Sequence, residues 1–251
     1  MKIENSPLSN ELQKSAQEKR SQYFESAVGT TLQKLHSFMR FVSRQDVAKH
    51  RAYVSLFEMT QGIVGSIAEC GVYFGQGLMT YANLAAAFEP YNYQCKILGF
   101  DTFEGDRAHS DVDERGQSVD RKLWNYEAKV FDDLLRAVAI YDLDRPLNHL
   151  EKIKLIKGDL CETAPDFMAA HPETLLRIIH LSVNLYLPTR SVLQHFYPRL
   201  SRGGVLAIHG LNYSAPGAQK ALTEVVEQQY GEKVELRTFG YYPNLVYAVR
   251  S

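Results

Sequence analysis

The sequence has little of what marks an extracellular, membrane or nucleic-acid-binding protein. Its three cysteines are odd in number and lack CxxC spacing, which predicts neither a disulfide framework nor a zinc site. No apolar run approaches the roughly 18 residues of a membrane span, and the first residues contain no apolar signal segment. A formal net charge of −1 offers no bulk attraction to nucleic acid or anionic lipid. We therefore expect a cytoplasmic protein with neither a nucleic acid nor a membrane as partner.

The chain has instead the composition and pattern of an α/β protein. Hydrophobic residues make up 45% of its 251 residues, enough to bury one sizeable core. Five apolar strand segments, the last at 204–208, alternate with helical patterns, and a helix at 218–229 follows. This alternation predicts a mostly parallel sheet covered on both faces. Two final strand segments, 234–239 and 245–249, predict a C-terminal antiparallel hairpin.

Residues 1–60 are predicted to form a helical N-terminal extension that caps the sheet or pairs subunits, ahead of the main domain at 61–251. The amphipathic run at 32–42 has more apolar surface than a short cap needs, which favours a homodimer. In the main domain, the long polar loop 104–126 is typical of a lid. Its acidic run, 111–114, lacks further ligands at defined spacing, so we interpret it as solvated lid surface rather than as a metal site.

Two acids follow neighbouring predicted strands. Residues 67–77 (IAECGVYFGQG) pass from an apolar strand through Glu69 into glycines that open a helix, and 97–101 (ILGFD) ends in Asp101. Open α/β sheets bind ligands at this edge. The spacing differs from GxGxxG, and an acid before the glycines suits an ammonium group better than a phosphate. Because Asp101 can accept two ribose hydroxyls, the pair suits S-adenosylmethionine better than NAD, unless the glycines merely form a tight turn.

Five segments resemble, in order, the macrocin-type sugar O-methyltransferases. They are 68–77 (AECGVYFGQG), 99–105 (GFDTFEG), 157–165 (KGDLCETAP), 180–189 (HLSVNLYLPT) and 197–220. The resemblance implies a Rossmann-like class I methyltransferase fold. It also implies transfer of a methyl group from S-adenosylmethionine, leaving S-adenosylhomocysteine, to a hydroxyl, commonly on a deoxysugar of a natural product. For this chain we expect a hydroxyl or amine of a small natural-product or sugar-type acceptor.

The same resemblance implies a cofactor site made of Glu69, Gly71, Gly75, Asp101, Thr102, Asp159, Leu160 and His180. The first three line the methionine end of the cofactor, Asp101 binds its ribose, and Asp159 with Leu160 flanks its adenine. His180 stands where the family also has histidine, and it shapes the crevice or contacts the cofactor. Two simpler alternatives stay open: Asp101 caps a turn, and Asp159 caps the helix that follows it.

The acceptor half departs from the family pattern. Relatives typically have aspartates in HLDVDLY and in a later DDY, and these carboxylates hold Mg²⁺. This chain has Ser182 and Asn184 in the first motif and His209 with Gly210 in the second. Because protein Mg²⁺ sites usually include one or two carboxylates, we expect no metal here.

The replacements are polar, and they predict a different catalytic site. A neutral imidazole can accept a proton near pH 7, so His209 is the candidate base, unless local hydrogen bonds merely satisfy it. Ser182 adds a polar side chain to the crevice, and Asn184 and Asn212 are expected to orient the acceptor.

Three functions stay open at this point. The first is a metal-independent S-adenosylmethionine-dependent methyltransferase. The second is a catalytically silent, cofactor-binding or scaffold relative, and the third is an enzyme that runs a non-methylating reaction on the same fold. The chain retains Glu69 and Asp101 for the cofactor and has polar residues where the family pattern has carboxylates. Both features favour the metal-independent methyltransferase.

Overall fold

Strands and helices alternate along the chain in the predicted order. The computed structural model describes residues 10–105, 111–113, 129–211 and 215–251. The strands are β1 (Ser66–Cys70), β2 (Ile97–Asp101), β3 (Ile153–Lys157), β4 (Leu176–Leu181), β5 (Leu200–His209), β6 (Arg237–Phe239) and β7 (Tyr242–Val249). The α-helices are α1 (Glu11–Ser26), α2 (Thr31–His36), α3 (Arg44–Met59), α4 (Gln76–Phe88), α5 (Val130–Asp144), α6 (Leu160–Ala170), α7 (Tyr186–Phe196) and α8 (Pro216–Leu222).

Within these residues the strands form one sheet in the order β3-β2-β1-β4-β5-β7-β6. The first five strands are parallel, and β7 pairs antiparallel with both β5 and β6. The predicted Rossmann-like class, with its mostly parallel sheet and C-terminal hairpin, is confirmed. The order reverses between β1 and β4, so the carboxyl ends of these two strands lie at the switch point where such sheets bind ligands.

Side chains alternate between two apolar layers on the two faces of the sheet. Ala68 and Cys70 belong to the layer under α6, α7 and α8. Ile67 belongs to the opposite layer, under α4, α5 and the part of α3 that begins at Ala52. Glu69 shares the face of Ile67, so its carboxylate points towards the layer that α3 and α4 cover.

Four elements have boundaries that differ from the sequence prediction. The second hairpin strand, expected at 245–249, starts already at Tyr242. The strand expected at 204–208 starts earlier, at Leu200, because backbone pairing with β4 includes polar residues that an apolar pattern does not detect. The helix expected at 218–229 consists of α8 followed by a π-helix, Thr223–Gln229. The first strand of the hairpin begins only at Arg237. Most of the predicted lid, 104–126, lies outside the described residues.

The chain divides into two compact units, 1–51 and 52–251. In the first unit, α1 and α2 each begin with a capping box, formed by Asn10 with Gln13 and by Thr30 with Gln33. The predicted domain limits at 60 and 61 stay predictions, as does the homodimer. Within the described residues, no helix combines the length and apolar character that crossing a membrane requires.

All three cysteines are free thiols. Cys70 and Cys95 are buried, whereas Cys161 is half-buried at the start of α6. Burial raises the pKa of the Cys70 and Cys95 thiols and, aided by a hydrogen bond to Asp159, raises the pKa of Cys161 to about 12. The thiols therefore act as small apolar side chains.

Candidate active site

The candidate site lies at the carboxyl ends of β1, β2, β4 and β5. Glu69 of β1 and His180 of β4 are register partners on neighbouring parallel strands. Asp101 is the last residue of β2 and His209 the last residue of β5. The sheet thus gathers at one edge four residues that are far apart in the sequence.

The Glu69 carboxylate is held in a buried position against the first turn of α4. Only 2% of the residue is exposed, and a Cβ built at Gly77 would lie 1.8 Å from its Oε1. Glycine at position 77 is therefore required for this placement. The dipole at a helix N-terminus favours negative charge, and a charge pair in a buried site interacts more strongly than one in water, so this position suits a cationic ligand.

Two further glycines form the turn between β1 and α4. Gly71 has φ +92°, and a Cβ there would lie 3.0 Å from the carbonyl carbon of Ser182. Gly75 has φ +82°, and a Cβ there would lie 2.4 Å from a methyl group of Leu134. Residues with a side chain rarely adopt this left-handed backbone conformation, so both glycines allow the turn to form. The absence of a side chain also keeps the end of the strand open.

Asp101 holds two strained turns. Its Oδ2 accepts a hydrogen bond from the Tyr73 N–H at 2.9 Å, and its Oδ1 accepts one from the Phe103 N–H at 2.8 Å. Tyr73 and Phe103 both have positive φ values, 54° and 53°, which is uncommon for aromatic residues and often accompanies a functional site. Asp101 therefore does cap turns, which was the simpler alternative to a cofactor role. It does not exclude ribose binding, because a carboxylate has about four lone-pair sites.

The remaining predicted cofactor residues make local structural bonds. Thr102 Oγ1 donates to the Gly105 carbonyl at 2.7 Å, which closes the turn after β2. Asp159 is the N-cap of α6, where its Oδ1 accepts from the Cys161 N–H at 2.8 Å. Leu160 is buried in the first turn of that helix. The cofactor roles of these residues stay predictions.

On the acceptor side, the backbone fixes the end of β4. The Ser182 N–H donates to the Cys70 carbonyl at 2.8 Å, which keeps Ser182 beside the end of β1. Asn184 has φ 54°, and its Oδ1 is buried without a hydrogen-bond partner among the described residues. Asn212 lies outside those residues. Burying an unpaired amide oxygen costs free energy, so a donor from a bound ligand would be favourable there.

The sequence did not predict the group of rings around the two histidines, which we call the imidazole–tyrosine cluster: Tyr53, Tyr81, His180, His209 and Tyr242. The Nε2 atom of His209 lies 3.2 Å from Tyr53 Oη, and Nδ1 of His180 lies 3.0 Å from Tyr81 Oη. The two imidazoles stack with centroids 5.0 Å apart and planes at 22°, and Tyr242 meets His209 edge-on at 5.9 Å.

Both tyrosines that contact the imidazoles are neutral phenols. Burial, together with the negative charge of Glu69, raises the pKa of Tyr53 and of Tyr81 well above the ordinary value. His180 is fully buried, whereas His209 is half-buried at the crevice. The sequence gives no signal for these pairs, because Tyr53 and Tyr81 match the apolar positions of two helices.

The comparisons with known proteins bear on the family and the fold. The model of the macrocin O-methyltransferase (TylF) family matches residues 10–233. The chain belongs to this family. It is therefore an O-methyltransferase, and the family implies S-adenosylmethionine as the methyl donor. No curated protein matches the chain.

Three solved structures illustrate the likeness. The calicheamicin methyltransferase CalS11 is 25% identical to this chain and superimposes with a TM-score of 0.89, over 98% of this chain and 94% of CalS11. An apo structure of CalS11, described as a TDP-rhamnose 3'-O-methyltransferase, is 24% identical to this chain. It superimposes with a TM-score of 0.82, over 98% of this chain and 96% of the CalS11 chain. The O-methyltransferase NovP is 21% identical to this chain and superimposes with a TM-score of 0.59, over 82% of this chain and 80% of NovP.

The magnesium ion that the resemblance implies does not fit the residues of this chain. A hydroxyl, an amide and an imidazole stand at Ser182, Asn184 and His209, the positions at which the resemblance implies carboxylates. The Nε2 atom of His209 already contacts Tyr53. Within the described parts of the chain, no three His, Cys, Asp or Glu residues lie close enough together to hold a metal ion. Protein Mg²⁺ sites usually include one or two carboxylates, and these three positions supply none.

Proposed function

We propose that this O-methyltransferase methylates a hydroxyl of a sugar-type, small-molecule acceptor without a metal ion, with His209 as the general base. The observation that carries the proposal is the meeting of two buried carboxylates and one half-buried imidazole at a single sheet edge. The acids Glu69 and Asp101 supply a cofactor site, and His209 stands where the resemblance implies a metal-binding carboxylate.

The residues present fit S-adenosylmethionine, which supplies a methyl group on a sulfonium and carries an ammonium group and a ribose. The Glu69 carboxylate, buried against Gly77, offers charge to the ammonium group. Asp101 retains lone pairs for ribose hydroxyls. Gly71 leaves the end of β1 without a side chain where the cofactor would approach.

The acceptor hydroxyl must lie in line with the methyl group and lose its proton near the transition state. The imidazole of His209 takes this proton in our proposal. The buried Oδ1 of Asn184 accepts a hydrogen bond from a second hydroxyl and so orients the acceptor. Several adjacent hydroxyls are typical of sugars, and the name of CalS11 as a TDP-rhamnose 3'-O-methyltransferase makes TDP-rhamnose the first acceptor to test.

Calorimetric titration tests the cofactor site. The protein is titrated with S-adenosylmethionine and with S-adenosylhomocysteine, in EDTA and in excess Mg²⁺, and Asp101→Ala is titrated alongside. We expect binding that is indifferent to metal and at least about tenfold weaker in the variant, since charged hydrogen bonds contribute about 1.5–3 kcal/mol. No binding by the wild-type protein under either condition would favour a scaffold role instead.

Methyl transfer to TDP-rhamnose in EDTA tests the base and the metal independence. Loss of a general base typically lowers the rate about 10²–10⁴-fold, so His209→Ala should be strongly impaired while cofactor binding persists. Near wild-type activity of His209→Ala would reject the base. Activity that disappears in EDTA and returns with Mg²⁺ would reject the metal-free reaction.

A further inference from the structure

We propose that Asp113 is a positioning residue for the acceptor. Its carboxylate holds the start of α7 and, through the backbone, the strand end that carries Asn184. The inference rests on the proposed role of Asn184 in orienting the acceptor. It adds to the site a residue from the connection between β2 and α5, far along the chain from the end of β4.

The Asp113 carboxylate is bonded to the first residue of α7. Its Oδ1 accepts a hydrogen bond from the Tyr186 N–H at 2.9 Å, across 73 positions of the chain. A carboxylate at the start of a helix satisfies a backbone N–H and interacts favourably with the helix dipole. The interpretation of the acidic run 111–114 as solvated surface is therefore wrong at Asp113, which is half-buried.

The start of α8 leaves the space that this carboxylate occupies. A Cβ built at Gly217 would lie 2.0 Å from Asp113 Oδ1 and 2.7 Å from the Tyr186 nitrogen. The φ of Gly217 is not positive, so close approach, and not backbone conformation, is what requires glycine there. The N-cap residues Leu185 and Ala215 have apolar side chains that cannot cap a helix. Asp113 thus lies where the starts of α7 and α8 meet.

Asn184 stands between two anchored points of the backbone. Before it, the Ser182 N–H donates to the Cys70 carbonyl at 2.8 Å. After it, the Tyr186 N–H donates to Asp113. Asn184 itself has φ 54°, an uncommon conformation that persists where the surrounding structure holds it. Loss of the Asp113 bond therefore releases one of the two anchors and leaves the Asn184 amide less fixed.

The chain provides matched variants. Asp113→Asn keeps an oxygen that accepts the Tyr186 N–H, and asparagine caps helices about as well as aspartate. Asp113→Ala removes that oxygen. Asp111 lies two residues earlier and is exposed, so Asp111→Ala removes a carboxylate but keeps the bond to Tyr186. A loss in Asp113→Ala alone therefore reports the bond rather than the charge of the acidic run.

Amide hydrogen exchange tests the bond, and it needs no acceptor. Exchange is followed in ¹H–¹⁵N spectra of the wild type and the three variants. We expect the Tyr186 N–H to exchange about fivefold faster in Asp113→Ala than in the other three proteins, because it has lost its cap. The N–H signal of Asn184 should shift in Asp113→Ala alone. Equal exchange of Tyr186 in all four proteins would overturn the inference.

Steady-state kinetics with TDP-rhamnose tests the positioning. In Asp113→Ala, kcat/KM for the acceptor should fall about tenfold, since a small misplacement of the substrate is costly to the rate. Asp113→Asn should restore it to within about twofold of the wild type, because the cap is kept. Affinity for S-adenosylhomocysteine should be the same in all four proteins. An unchanged kcat/KM in Asp113→Ala would leave Asp113 as a helix cap only and reject the positioning role.

A double-mutant cycle tests whether Asp113 acts through Asn184. Asn184→Gly removes the amide side chain and tolerates the left-handed backbone. Adding Asp113→Ala to this variant should have no further effect on kcat/KM. Multiplied losses would show that Asp113 acts independently of Asn184, and would overturn the inference.

These outcomes separate the inference from the proposed function. If Asn184→Gly keeps the wild-type kcat/KM, the role of Asn184 fails, and the positioning of Asn184 fails with it. If Asn184→Gly is impaired but Asp113→Ala is not, the role of Asn184 stands and that of Asp113 alone is rejected. If the wild type does not methylate TDP-rhamnose, that acceptor is rejected, and the exchange of Tyr186 with the signal of Asn184 decides the inference.

Discussion

Gly77 leaves the space that the Glu69 carboxylate occupies, and our proposal makes that carboxylate a ligand of the cofactor. Any side chain at position 77 would collide with the Glu69 carboxylate, whose Oε1 would lie 1.8 Å from the new Cβ. Gly77→Ala should therefore displace Glu69 and weaken binding of S-adenosylhomocysteine at least about tenfold, the equivalent of about 1.4 kcal/mol. Isothermal titration measures this directly.

The control for that change is Gly240→Ala, because a Cβ at Gly240 would meet no atom within 4 Å. It should bind the cofactor product as the wild type does. Equal affinity of the Gly77→Ala and Gly240→Ala proteins would show that Glu69 is not a ligand of the cofactor.

Among the helices and strands, α6 begins at an acid that has one observed role, as a helix cap, and one predicted role, as a ligand of the adenine. Asp159 caps the helix through its bond to the Cys161 N–H. Replacing an N-cap acid by alanine typically costs about 1 kcal/mol, whereas asparagine caps nearly as well. Asp159→Ala should therefore lower the free energy of unfolding in urea by about 1 kcal/mol, and Asp159→Asn should not.

The affinity of the same two variants for the cofactor product tests whether Asp159 also contacts the adenine. If Asp159 also contacts the adenine through its carboxylate, both variants bind S-adenosylhomocysteine more weakly. Wild-type affinity in Asp159→Asn would leave Asp159 as a helix cap only.

The sequence predicts the elements of this fold better than it predicts the contacts of the site. Apolar runs that lead into an acid located β1 and β2 nearly to the residue, and thereby placed Glu69 and Asp101 at one edge. The partners of His209 could not be predicted in this way. Tyr53 reaches His209 only through the packing of α3 on the sheet, and helical periodicity gives the buried face of a helix, not its register against a strand.

For the chain as a whole, the buried tyrosines predict sensitivity to alkali. In the folded protein Tyr53 and Tyr81 keep their protons, because burial raises the pKa of both phenols. In the unfolded chain tyrosine ionises near pH 10, so the unfolded state gains stability above that pH. The melting temperature should fall as pH rises through 10, less steeply in Tyr81→Phe than in a variant of the exposed Tyr91.

Substitutions in the N-terminal unit test the predicted homodimer. Leu32, Leu35, Phe38 and Met39 are all exposed, and they lie on α2 and the 3₁₀ turn after it. Light scattering should give twice the chain mass for the wild type and a smaller mass for Leu35→Glu with Met39→Glu. A monomeric wild type would contradict the prediction.

The three cysteines make the protein a convenient subject for site-selective labelling. Thiolate is the form that reacts with maleimides and iodoacetamides, and each native thiol has a raised pKa. A cysteine introduced at an exposed position such as Tyr91 would therefore react first at neutral pH. A fluorophore or spin label could be attached to one chosen site without first removing the native cysteines.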